Sequence, residues 1–251
     1  DEGIVWISWT LGVEMAFYVL FPFIFRAFNT LGKALAFVGI TILADAGFQT
    51  LCQSMWQIPG DFYVHSLIHH LPVFALGIVA FFIYERYIEG RSLPRRWGYG
   101  LMAAGACAYL AWSSQVYLPL LSAERQDQLR IALKIAHIHY YGNVWQGLAY
   151  GALVLGLAIA PVRLLVNRLS EFFGEISYSM YLNHPRVILA FVPVYQLLYA
   201  AQLPATLQFG LSLVVALIPL TLLSFLTYRL IEAPGIRFGS RLARSLKGSQ
   251  P

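Results

Sequence analysis

The sequence predicts an all-α fold, a polytopic bundle of about seven transmembrane helices. Three observations predict it. Hydrophobic residues make up 59% of the 251 and charged residues only 12%, against ~25% charged in a typical soluble protein. Apolar residues come in long runs, close to the ~20 needed to cross hydrocarbon. Basic residues fall in short clusters between those runs, the pattern that orients membrane helices. Mean hydropathy is +0.64. Disorder is excluded, because it requires a polar, charge-rich chain. Cys52 and Cys107, the only two cysteines, exclude a disulfide scaffold and a four-cysteine zinc site. The net charge of +5 is scattered between apolar runs and does not point to nucleic acid.

The first expected span, Ile4–Phe25, stops at Arg26, with Lys33 beyond it. The second, Ala34–Leu51, carries Asp45. The third, Tyr63–Tyr84, opens on His65, His69 and His70 and is followed by Arg86, Arg91, Arg95 and Arg96. The fourth is Trp97–Ser114. The longest non-spanning stretch follows, an external loop over 115–143. Within it Leu129, Ala132, Leu133, Ala136 and Tyr140 share one helical face, the pattern of an amphipathic surface helix serving as a lid or anchor. The fifth span, Val144–Ala160, precedes Arg163 and Arg168. The sixth, Ile176–Tyr199, contains His184, Pro185 and Arg186. The seventh, Leu207–Tyr228, leads into a basic tail over 229–251. The loops after the odd-numbered spans and this tail hold thirteen of the 17 Lys and Arg residues. The positive-inside rule therefore puts the C-terminus in the cytoplasm and residue 1 outside. An external start at Asp1 with no targeting segment leads to the expectation that the domain is incomplete at its N-terminal end.

Ionisable groups inside the bilayer cost about 2.5–3.5 kcal/mol each at a helix centre, so they persist only when paired, neutral or facing a polar cavity. Glu14 lies midway along the first span, with Thr10 and Tyr18 on the same face at i−4 and i+4. It is a candidate proton acceptor, a partner for an arginine, or a hydrogen bond locking two helices. In the sixth span Ser177, Tyr181 and His184 form a polar stripe at i, i+4, i+7. Pro185 frees the carbonyl four residues back, a place to bend the helix around a cavity. His184 is placed to move a proton or hold a substrate oxygen, or to be satisfied by a neighbouring helix. Arg186 suits an anion, Glu14, or extension toward the interface. His65 and His69 have the i, i+4 spacing of metal ligands, but spacing places no third ligand, and interfacial histidines are the favoured reading; no metal is expected. His137 and His139 read as solvated. No phosphate-binding glycine loop, nucleophile elbow or dinucleotide fingerprint occurs.

Three segments carry a resemblance. WTLGVEMAFYVLFP (Trp9–Pro22) resembles W-S-L-x-x-E-x-x-F-Y-x-x-x-P, with Thr10 where Ser is usual. GEISYSMYLNHP (Gly174–Pro185) is similar to G-x-I-S-Y-x-x-Y-L-x-H-x-P, and YRLIEAP (Tyr228–Pro234) to Y-R-x-I-E-x-P. In this order they resemble acyltransferase family 3, the integral membrane O-acyltransferases. The resemblance implies one domain over 1–251, corresponding to the later part of a ten-span domain whose catalytic histidine lies in its first spans. It implies transfer of an acyl group, often acetyl, from acyl-CoA as co-substrate to a hydroxyl of a cell-envelope or exported glycan at the bacterial cytoplasmic membrane. No bound cofactor is expected; the partners are the lipid bilayer, acyl-CoA and the hydroxyl acceptor. Glu14 and His184 are carried as catalytic positions, and Trp9, Tyr18, Ser177, Tyr181 and Arg186 as substrate-binding positions. Glu232 and Pro234 match the closing motif and shape the cytoplasmic exit. The competing reading is a proton-coupled secondary transporter or flippase, in which Glu14, Asp45 and His184 relay protons; no inverted repeat supports it. A histidine-dependent O-acyltransferase of the other large membrane class is disfavoured by the Trp9–Pro22 segment.

Overall fold

The structure is a computed structural model that describes residues 8–55, 60–117, 142–201 and 203–247. Among the described residues every regular element is helical. The chain forms two compact units, one within Trp6–Val162 and one within Arg163–Pro251.

In the N-terminal unit α1 spans Ser8–Ala27. Thr30 caps α2, Leu31–Thr50, by accepting from the Lys33 amide; a hydroxyl there satisfies one of the unpaired first-turn donors. A π-helical turn, Leu51–Met55, extends α2. A short α3, Gly60–Val64, precedes α4, Leu67–Ile83. Ser66 caps α4 through the His69 amide. A second π turn, Tyr84–Ile88, closes α4, and the chain reverses at Gly90, whose φ of 67° lies in the left-handed region that favours glycine. Then come α5, Arg95–Tyr117, and α6, Gly142–Ile159.

Helix α4 is the hub, packing on α1, α2 and α6. Against α2 the contact is close because Ala34 and Ala75 are fully buried, with Phe37, Ile78, Val79 and Phe82 around them. Against α1 it is aromatic: Phe17 stacks on Phe74 with centroids 3.9 Å apart, and Phe25 on Phe82 at 5.7 Å. Helices α5 and α6 meet backbone to backbone. A Cβ on Gly98 would fall 2.7 Å from the Gly156 carbonyl oxygen, and one on Gly105 2.6 Å from that of Ala149. Small residues drive such approach in membranes, where apolar burial between helices gains little over lipid.

In the C-terminal unit α7 spans Arg168–Ala190, opened by a capping box of Asn167 and Ser170. It runs unbroken through Pro185. The break falls later: α8, Val192–Ala200, starts after Phe191, with Pro193 in its first turn. A proline there lacks only an amide hydrogen that a helix start leaves unpaired anyway. The expected sixth span is thus two helices that meet at Phe191. Then α9 spans Ala205–Thr227, a π turn covers Tyr228–Glu232, and α10 covers Ala233–Lys247. Most of the expected basic tail is therefore helical.

Within the described residues each of the seven expected spans is mainly helical. Among the described residues five helical segments combine the length and apolarity to cross a membrane: Trp9–Ala27, Leu31–Ser54, Phe62–Ile88, Gly142–Ile159 and Ala205–Arg241. Helices α5 and α7 have 23 residues each, long enough at 1.5 Å per residue, but they are less apolar. Arg95 and Arg96 open α5, and α7 carries Arg168, Glu171, Glu175, Asn183, His184 and Arg186. The external amphipathic helix lies almost wholly outside the described residues, as do His137 and His139; only the end of α5 and the start of α6 enter 115–143.

Candidate functional site

Helix α1 turns Val13 and Phe17 into the N-terminal unit. That orientation sets Trp9, Thr10 and Glu14 beside the start of α4. Together with Val13, His70 and Phe74 they line a pocket of about 170 Å³. The Trp9 ring lies 4.4 Å from His65 and stacks on His70 at 5.5 Å. Nε2–H of His70 donates to the Val64 carbonyl at 3.0 Å. A carbonyl only accepts, so the hydrogen sits on Nε2 and Nδ1 is the acceptor of the neutral ring. Glu14 is half-buried and makes no ion pair among the described residues. Tyr18, four residues on, is 61% exposed and lies outside this pocket.

Behind His70 is a buried polar network joining four helices. Tyr63 Oη–H donates to Asp45 Oδ1 at 2.8 Å, and Nδ1 of His69 lies 3.1 Å from that oxygen and 2.9 Å from the Tyr63 hydroxyl. Asn143 Nδ2 reaches His69 Nε2 at 2.6 Å and the His69 carbonyl at 3.4 Å. The carbonyl needs a donor, so the amide nitrogen faces the ring, Nε2 accepts, and Nδ1 carries the hydrogen toward Asp45. Both His69 nitrogens are occupied, and His65 packs on Trp9. The i, i+4 pair therefore serves structure. Among the described residues no group of three or more His, Cys, Asp or Glu is placed to hold a metal.

In the C-terminal unit α7 carries two polar stripes. The expected one, Ser177, Tyr181 and His184, stays together on the side turned away from α9. Ser177 Oγ–H donates to Gly174 O at 2.8 Å, and the Tyr181 and His184 rings lie 5.7 Å apart. His184 Nδ1 is 2.7 Å from the Tyr181 carbonyl. That is the carbonyl Pro185 leaves without its helical donor. Nδ1 thus carries the hydrogen, and Nε2 keeps the acceptor lone pair.

The second stripe is Ser179, Asn183 and Arg186, and the periodicity read for the first stripe did not single it out. Ser179 and Asn183 are buried against α9. Asn183 Nδ2 donates to Thr227 Oγ1 at 3.0 Å, and Ser179 Oγ–H to Glu232 Oε2 at 2.8 Å. Arg186 belongs here, away from His184, on a cavity of about 370 Å³ that it shares with Tyr178, Asn183, Thr227 and Glu232. The same i, i+4, i+7 spacing was legible in the sequence. His70 left no such signal, because its meeting with Trp9 joins residues 61 positions apart. Trp9 and Glu14 lie in the N-terminal unit, and Ser177, Tyr181, His184 and Arg186 in the C-terminal one.

Neither the curated proteins nor the solved structures contain a match to this chain. The family model of the acyltransferase domain Acyl_transf_3 matches residues 1–229, a stretch that includes Trp9–Pro22 and Gly174–Pro185 whole and ends inside the closing motif. The chain belongs to acyltransferase family 3, the membrane acyltransferases.

Proposed function

We propose that the protein moves an acyl group, acetyl in the simplest case, from acyl-CoA to a hydroxyl of a cell-envelope or exported glycan at the bacterial cytoplasmic membrane, with residue 1 outside and the C-terminus cytoplasmic. The observation that carries the reading is His184: its Nδ1–H is tied to the Tyr181 carbonyl, which leaves Nε2 as a fixed proton acceptor. In the reaction the acceptor hydroxyl gives its proton to that nitrogen as its oxygen attacks the thioester carbonyl. The C–S bond breaks, an ester forms, and the thiolate of CoA leaves and takes up the proton. Glu14, in its own pocket beside Trp9 and His70, is a further polar position whose carboxylate accepts from hydroxyl and amide hydrogens of a bound substrate. Ser177 and Tyr181, on the same stripe of α7 as His184, line the substrate path.

The test is radiolabelled acetyl transfer in membranes holding the protein at its natural length. His184→Ala is expected to lower turnover about 100-fold, the scale of a lost general base, with Glu14→Gln also impaired and both variants at normal abundance. Unchanged turnover in both variants removes these residues from the site. Proton-coupled solute uptake into vesicles, with no label transferred, would establish a transporter instead.

A further inference from the structure

The seam between α7 and α9 is held by small and polar side chains that hydrogen-bond across the helices. Ser179, Asn183 and Ser224 are all buried in it. The contacts run antiparallel: Ser179 meets Glu232, and Asn183 meets Thr227 and Ser224. At the Glu232 end α9 gives way to the π turn Tyr228–Glu232. Such turns carry an extra residue per helical turn and concentrate at functional sites. Here the turn brings Glu232 back to α7, and the cavity of about 370 Å³ opens beside it. That volume falls within the ~300–1,000 Å³ range of small-molecule sites.

The cavity is lined by one full positive and one full negative charge, Arg186 and Glu232. They do not pair: among the described residues no arginine or lysine forms an ion pair with a carboxylate. One Glu232 oxygen is held by Ser179, which fixes the carboxylate without neutralising it. An apolar chain in this space would strand both charges. A simple anion would satisfy Arg186 and be repelled by Glu232, and a simple cation the reverse. A metal finds one carboxylate and no histidine or cysteine in the lining. The complementary occupant carries one charge of each sign. The apolar run of α9 ends at Tyr228, followed by Arg229, Arg237, Arg241 and Arg244. The Glu232 end of the cavity therefore lies at a membrane–water boundary, the depth of lipid headgroups.

We propose that this cavity binds a zwitterionic phosphoethanolamine group, with its phosphate on Arg186 and its ammonium on Glu232. The guanidinium fork matches phosphate oxygens, and the carboxylate accepts from a primary ammonium. A quaternary ammonium has no N–H to give it. The site goes beyond acyl transfer and does not depend on it.

The test uses the purified protein in detergent. Native mass spectrometry reads retention of phosphatidylethanolamine, phosphatidylcholine and phosphatidylglycerol, and soluble glycerophosphoethanolamine is the competitor. Phosphatidylethanolamine is expected to be retained about tenfold better than the other two, the scale of one lost charge-assisted hydrogen bond. Arg186→Gln should reduce that retention, and Glu232→Gln should abolish the preference over phosphatidylglycerol. Ile231→Trp fills the cavity with both charges intact and should also displace the lipid, which covers the case of a charge variant that fails to fold. Tighter binding of the lipid than of the soluble headgroup assigns the membrane as the source; the reverse order assigns a free phosphoethanolamine ester. Equal retention of the three lipids by the unaltered protein, or retention unchanged in all three variants, overturns the proposal.

Discussion

Two buried polar clusters in this protein are built to opposite ends. In the N-terminal unit Asp45, Tyr63, His69 and Asn143 close on one another: both His69 nitrogens are occupied, and Asp45 accepts twice at one oxygen. In the C-terminal unit Ser179, Asn183 and Thr227 are bonded, but Arg186 and Glu232 face a hollow without pairing. A saturated network inside a membrane protein has nothing left to offer a ligand, so its contribution is to fix helix positions. An unsaturated one keeps charge in reserve. The contrast separates histidines and carboxylates that build the fold from those that meet a ligand, a separation that residue type alone does not make.

Four substitutions break or sharpen this contrast. The largest effect is expected from Asp45→Ala. It removes the acceptor of the Tyr63 hydroxyl and leaves the His69 Nδ1–H only the Tyr63 oxygen; it should cost about 3 kcal/mol, the upper end for an unsatisfied buried donor, read as a fall in Tm in detergent. A loss below about 1 kcal/mol would mean that water reaches the network and that it is no lock. Asn183→Ala should cost less, about 1–2 kcal/mol, because the Thr227 hydroxyl loses only a bond it accepts and keeps its own donation to the Leu223 and Ser224 carbonyls. Tyr63→Phe should cost about 1 kcal/mol, since His69 retains Asp45 directly. Glu232→Gln should stay within about 0.5 kcal/mol, because an amide oxygen still accepts from Ser179. Equal destabilisation by Asp45→Ala and Glu232→Gln in the same thermal melts would erase the distinction between the two clusters.

Part of this was legible in the sequence. The pairing of Thr10 with Glu14 followed from one helical face, and the grouping of Ser177, Tyr181 and His184 from another. Tyr18 shared the Glu14 face and still fell outside the pocket, because α1 meets α4 through Val13 and Phe17 and turns Tyr18 outward. In the sixth span the sequence marks Pro185 as a place for a bend, and its missing donor is real. The helix absorbs it, with His184 supplying a hydrogen to the stranded carbonyl, and breaks instead at Phe191, where Pro193 opens a new helix. His70 was read only as interfacial, since nothing local marks a residue whose partner is Trp9.

What the sequence determined by itself is what short-range physics controls. Helix is imposed because hydrocarbon leaves no other partner for backbone amides. Span positions follow from runs of apolar side chains, and family membership from side-chain patterns within single helices. The tertiary structure decided which stripe of α7 meets α9, which histidine is locked and which keeps a lone pair, and where two opposite charges border one cavity. Those outcomes depend on which helices touch and how each is rotated about its axis. The two polar stripes of α7 are offset by two residues, so a rotation of about 160° exchanges one for the other, and no periodicity along a single helix records that angle.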